Sequence, residues 1–247
     1  MRPLRTRFAK DIVAEFLPPV RRSHKVIILC QGMPTVPNKR DELEFLSKKG
    51  YWAFHPRYRG TWESKGEFLR KSPHLDILDV IKGIKKGFKD TISGRRYRIK
   101  PRSVYLIGTS FGGPAALLAS THPSVTKVLA LAPVVDWNAQ KKSEPANWLY
   151  RLTKESFGEG YRCSKHDVKK LYNGVFYNPV AHASKVAGKK VMIMHEKNDP
   201  IVPYLPGKHF AKKIGCTYVL LRGKEHSLMS TEFLTRHYSR IYKFLSS

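Results

Sequence analysis

Six short apolar runs punctuate the chain: KVIILC (25–30), YWAFHP (51–56), SVYLIG (103–108), KVLALAPVV (127–135), KVMIMH (190–195) and TYVLLR (217–222). Most are continuous rather than alternating, the pattern of strands covered on both faces. Helical spacing of apolar residues predicts helices over about 39–49, 73–91, 112–121, 206–214 and 231–245. The second carries a start signal, with Ser72 placed to cap and Pro73 at the first helical position. Ile12–Leu17 reads as an added edge strand. This β-α alternation predicts an α/β protein with a mostly parallel central sheet flanked by helices, taking its ligand at the carboxyl ends of the strands.

One interval breaks the rhythm. Between the runs at 127–135 and 190–195 lies a long insert holding Trp137, Trp148, Tyr150, Phe157 and Tyr161. A connection of that length is usually functional. It predicts one or two short helices forming a small cap over about 137–180, within a single domain spanning 1–247. The two tryptophans suit an acyl pocket or the cap's own core equally well. No internal repeat or low-complexity tract is visible.

Composition changes the picture in two ways. Apolar residues make up 41 % of the 247 positions and are spread along the chain, enough for a large core. Cys30, Cys163 and Cys216 show neither a disulfide framework nor metal-ligand spacing. The N-terminal stretch is basic, but Asp11 and Glu15 interrupt any apolar signal region, and no run approaches the roughly 20 residues of a membrane helix. A soluble, cytoplasmic protein is expected. Charge is the unusual quantity: 46 Lys and Arg against 19 Asp and Glu leave a net +27. Such a field attracts polyanions. Its spread along the chain favours solvated lysines, with nucleic acid the less favoured partner. The densest basic stretch, residues 82–102, leads into the amino end of the strand at 103–108, away from its carboxyl end.

That carboxyl end carries the candidate chemistry. The segment YLIGTSFGGPA (105–115) runs from an apolar strand through GTSFG into helix formers, which puts Ser110 in a strand-to-helix turn. Pro114 fits the first turn of the helix, where its missing N–H has no partner to lose. A serine hydroxyl needs a base, and the base an orienting acid, in the chain order Ser, Asp or Glu, His. Asp199 in EKNDPIVP follows the strand at 190–195, and His226 in GKEHSL follows the strand at 217–222. Both therefore project from the same sheet edge as Ser110. Asp136 and Glu196 are alternative acids. His195, His209 and His237 read as strand-end or surface-helix residues. An oxyanion needs two N–H donors: Phe111 after the nucleophile, and Met33 in the loop QGMPTVP, where Pro34 and Pro37 have none. One such donor is worth roughly 3–4 kcal/mol in the transition state. No cofactor or metal is expected.

These pieces resemble the α/β-hydrolase superfamily, and within it prolyl-oligopeptidase-type catalytic domains and related esterases. The likeness rests on QGMP (31–34), PRYRGTWESKGEF (56–68), GTSFGG (108–113), NPVAHASKV (178–186), HEKNDPIVP (195–203) and GKEHSL (223–228), nearly the whole chain from about residue 25. The resemblance implies an α/β-hydrolase fold and nucleophilic hydrolysis by Ser110, Asp199 and His226. Three departures stand out: Gln31 where the family has histidine, Glu196 where it has glycine, and no β-propeller or other large N-terminal domain. They favour a serine esterase over a peptidase, acting on a small ester or, second, a short peptide. Arg59 reads as a structural clamp more than as a substrate ligand. A reading of a different class, an inactive basic binding module, has only the charge behind it.

Overall fold

The structure is a computed structural model and describes residues 2–226 and 228–247. An antiparallel hairpin, β1 (Leu4–Phe8) and β2 (Ile12–Leu17), opens the chain. There follow β3 (Lys25–Cys30), α1 (Arg40–Lys48), β4 (Trp52–Pro56), α2 (His74–Lys86), β5 (Phe88–Lys89), β6 (Arg96–Tyr97) and β7 (Ser103–Thr109). After these come α3 (Gly112–Ala119), β8 (Lys127–Leu131), α4 (Trp137–Gln140), α5 (Ala146–Phe157), α6 (Lys165–Lys169), β9 (Val191–Glu196), α7 (Tyr204–Ile214), β10 (Thr217–Leu221) and α8 (Thr231–Ser246). Eight strands form one sheet in the order β1-β2-β4-β3-β7-β8-β9-β10, parallel from β4 to β10. The α/β architecture expected from the run pattern is therefore the one observed, because continuous apolar strands such as β7 and β9 need cover on both faces. One face packs on α2, α3 and the 137–190 segment, the other on α1 and α8.

Four details differ from the expectation, each for a local reason. A first edge strand, β1, precedes the predicted one, joined to it by a tight turn in which Ala9 and Lys10 both hold positive φ. The helix expected to run to residue 91 ends at Lys86, where Gly87 at φ 94° turns the chain. Phe88 then inserts among Phe8, Phe16, Phe54, Trp52 and Tyr97 as the start of a small hairpin, β5–β6. Ser72 does not cap α2; its hydroxyl lies 2.7 Å from His74 Nδ1. The run at 127–135 leaves the sheet at Leu131, since Ala132 takes φ 43° and Pro133 has no N–H for the ladder.

Residues 137–190 fold as α4, α5, α6 and several 3-10 turns packed on the loops after β3 and β4. Tyr161 bridges to Thr61, the Tyr161 hydroxyl accepts from Thr35 N at 3.0 Å, and Arg162 donates to Trp62 O at 3.0 Å. Trp137 belongs to the core, 2 % exposed with its indole N–H on Tyr177 O, whereas Trp148 is 41 % exposed.

Candidate active site

Ser110 sits between β7 and α3 at φ 51°, a conformation that non-glycine residues adopt rarely and that clusters at functional sites. Its neighbours enforce the bend. Ser110 N donates to Leu131 O at 3.0 Å, and Ser110 O accepts from Gly113 N at 3.0 Å and Val134 N at 3.2 Å. A Cβ at Gly112 would overlap the Cys30 carbonyl, so only glycine lets the helix start this close to β3. The turn is further pinned by the buried Tyr177 hydroxyl, which donates to Phe111 O at 2.7 Å.

Asp199 and His226 meet across the loops after β9 and β10. His226 Nδ1 lies 2.8 Å from Asp199 Oδ2 and 3.1 Å from Oδ1. The Asp199 side chain is fully buried, and Oδ1 also accepts from Ile201 N and Val202 N. Burial opposes its ionisation. Hydrogen bonds to His195 and His226, the charge of His226 and the Val202 amide outweigh that, holding the carboxyl well below the usual carboxylate range. A carboxylate on Nδ1 fixes the tautomer that leaves Nε2 free to accept a proton.

His226 and Ser110 line one pocket of about 180 Å³ together with Gly32, Met33, Thr109 and Met229. Among the described residues no hydrogen bond joins the Ser110 hydroxyl to His226, a contact that commonly tightens only around bound substrate. Gly32 brings the loop after β3 against the nucleophile: a Cβ there would stand 3.4 Å from Ser110 Cβ. Met33 and Phe111 thus flank Ser110, and among the described residues neither N–H donates to a loop or side-chain acceptor. Lys39, the cation on the pocket wall, is taken by Glu42 and by Met229 O, both at 2.9 Å.

Of the alternative acids, Asp136 caps α4 through Asn138 N, and Glu196 is buried at the end of β9, its Oε2 without a partner among the described residues. Burial and the nearby Glu225 raise the Glu196 carboxyl above its ordinary value. Arg59 is a clamp: it binds Asp11 at 2.8 Å, Asp79 at 2.7 Å and Asp76.

Three residues at the site escaped sequence reasoning. His195, fully buried, brings Nε2 to 3.5 Å from Asp199 Oδ2 and 3.0 Å from Val202 O. Its place at the strand end was readable, but its contact with the acid depends on how the next loop folds back. Gln140, 1 % exposed, donates 2.8 Å hydrogen bonds to Ile201 O and to Glu144, tying α4 to the Asp199 loop. Glu144 in turn lies close enough for the charges of His226 and Asp199 to act on it, although burial has the largest effect and raises its carboxyl. No sequence signal marks these last two.

Comparison with known proteins bears on the family and the fold. The profile of the prolyl oligopeptidase family matches residues 37–247. An esterase of Pyrococcus furiosus superposes with a TM-score of 0.70 at 17 % identity, covering 99 % of this chain and 89 % of that one. Est1E from Butyrivibrio proteoclasticus, solved with ferulic acid bound, gives 0.69 at 16 % identity and covers 99 % of this chain and 100 % of that one. The acylaminoacyl peptidase of Pyrococcus horikoshii gives 0.65 at 18 % identity, covering 99 % of this chain and 41 % of that one. No curated protein sequence matches the chain.

Proposed function

The chain belongs to the prolyl oligopeptidase family, and from that premise we propose that it is a serine hydrolase cleaving carboxylic esters through an acyl-enzyme. The observation that carries this is a single one: Ser110 at positive φ opens onto the same pocket as a His226 whose other ring nitrogen is held by a buried Asp199. His226 Nε2 takes the proton as Ser110 Oγ attacks the ester carbonyl. The Met33 and Phe111 N–H groups hold the oxyanion, and Asp199 offsets the imidazolium charge. His226 returns the proton to the leaving alcohol, then activates the water that releases the acid. Residues 137–180 act as a cap on this single domain.

Ester over peptide is favoured by the pocket wall. Lys39 on that wall is engaged by Glu42 and Met229, and Met33, Pro34 and Met229 present neutral surface suited to an acyl chain. The structural likeness also covers most or all of the two esterases and less than half of the peptidase. Fluorophosphonate labelling that vanishes in Ser110→Ala, together with turnover of p-nitrophenyl esters above aminoacyl and peptidyl anilides, is the expected result. Dominant anilide cleavage would establish the peptidase instead. Failure of the folded protein to label would leave a binding module.

A further inference from the structure

One concavity of the molecule lies remote from Ser110. It measures about 560 Å³ and is lined by Lys86, Lys89, Arg96 and Arg98 with Phe88 and Tyr97, at the β5–β6 hairpin. The hairpin feeds the amino end of β7, and Ser110 follows the other end, a strand length of about 20 Å away. All four cations are exposed, and among the described residues none of their side chains makes an ion pair or a hydrogen bond. Among the described residues the acid within the hairpin pairs with none of them. Asp90 is 1 % exposed and spends its carboxylate on Ser93 N and Oγ, Arg5 N and Ile92 N.

A second feature shares the hairpin. Ile92, at its tip, is 71 % exposed, the highest value among the exposed large hydrophobic residues. An exposed aliphatic side chain at the tip of a hairpin whose base carries exposed cations matches the two needs of an anionic bilayer surface: phosphate-bearing headgroups for the cations, and the acyl boundary for the apolar tip. Nucleic acid fits less well. Tyr97 offers no open platform for a base, because Phe88 stacks on the ring at 5.6 Å and Arg95 lies over it at 5.4 Å.

We propose that the β5–β6 hairpin docks this protein peripherally on anionic lipid bilayers, with Lys86, Lys89, Arg96 and Arg98 on the headgroups and Ile92 inserted. Among the described residues no helix is long and apolar enough to cross a membrane, so such docking is interfacial. It leaves the Ser110 pocket directed away from the lipid.

The full chain, mixed with vesicles of phosphatidylcholine alone or with phosphatidylserine, tests this by co-sedimentation. Binding is expected only to the anionic vesicles and should weaken as salt rises. Each cation replaced by alanine should lower the partition constant about fivefold. Ile92→Ser, which leaves the charge unchanged, should lower it roughly tenfold. Circular dichroism and the unfolding midpoint of each variant verify that the fold survives. Equal binding to both vesicle types, or none to either, overturns the proposal. So does an Ile92→Ser protein that binds vesicles like the parent while single-stranded RNA binds tightly through the same cations, which would make the surface a nucleic-acid site.

Discussion

Glu196 is buried at the end of β9, Asp199 buries its side chain three residues on in the next loop, and their carboxyls are shifted in opposite directions. The histidines that hydrogen-bond Asp199 lower it, so the folded protein binds its proton less readily than the unfolded chain does. Its stabilisation is present above the unfolded value of about 3.9 and is lost as pH falls from there. Asp199→Asn should therefore flatten the acid limb of the unfolding midpoint against pH below about pH 4. It should also lower kcat about 10⁴-fold, because the imidazole would then be presented in the wrong tautomer. Glu196 has no partner on Oε2 among the described residues, and its raised value means the fold prefers it neutral. Stability is then lost as pH rises past the unfolded glutamate value near 4.3. Glu196→Gln should raise the unfolding midpoint at pH 7 and change it least at pH 3, below the unfolded glutamate value, where the carboxyl is largely protonated in either state; a midpoint that fell at pH 7 would contradict this.

At the scale of elements, the turn from β7 into α3 is set by close backbone approach. Gly112→Ala would drive a methyl group into the Cys30 and Gln31 carbonyls, and should cost roughly 1–3 kcal/mol in denaturant unfolding together with most of the activity. Arg59 works differently: it ties the hairpin turn at Asp11 to the start of α2 through Asp76 and Asp79. Asp76 is buried, so Arg59→Ala leaves it without its cation and should destabilise by about 3 kcal/mol, with KM unchanged in the protein that remains folded. The element pattern was legible wherever strands were continuous and apolar, as in β3, β7 and β9. It was illegible at β1 and at β5–β6. The first turn uses Ala9 and Lys10 in place of the usual Asn-Gly pair, and the second hairpin has strands of two residues each.

Across the whole molecule, the net +27 acts as self-repulsion that folding concentrates into a smaller volume. Added salt screens it, the Debye length shrinking from about 30 Å at 0.01 M to about 8 Å at 0.15 M. The unfolding midpoint should rise over that range in a neutral salt such as NaCl; an unchanged midpoint would show that the charges are too dispersed to matter. The sheet also sorts the molecule into two ends. Loops after β3, β7, β9 and β10 gather Met33, Ser110, Asp199 and His226 at one end, whereas the basic hairpin enters β7 from the other.

The α/β class, the order of the parallel strands along the chain and the placement of Ser110, Asp199 and His226 after three of them were all readable from the residue pattern alone. Those follow from local pattern: apolar runs of strand length, helical spacing between them, and turn residues at their carboxyl ends. Tertiary structure decided what depends on distant segments meeting. It set the positive φ at Ser110, held by Leu131 and Val134, and the two imidazoles on Asp199. It also made Gln140 the link between α4 and the acid's loop, and gathered four exposed cations around one concavity. A local pattern cannot encode these, because each is fixed by contacts between residues that only the closed sheet brings within hydrogen-bonding distance.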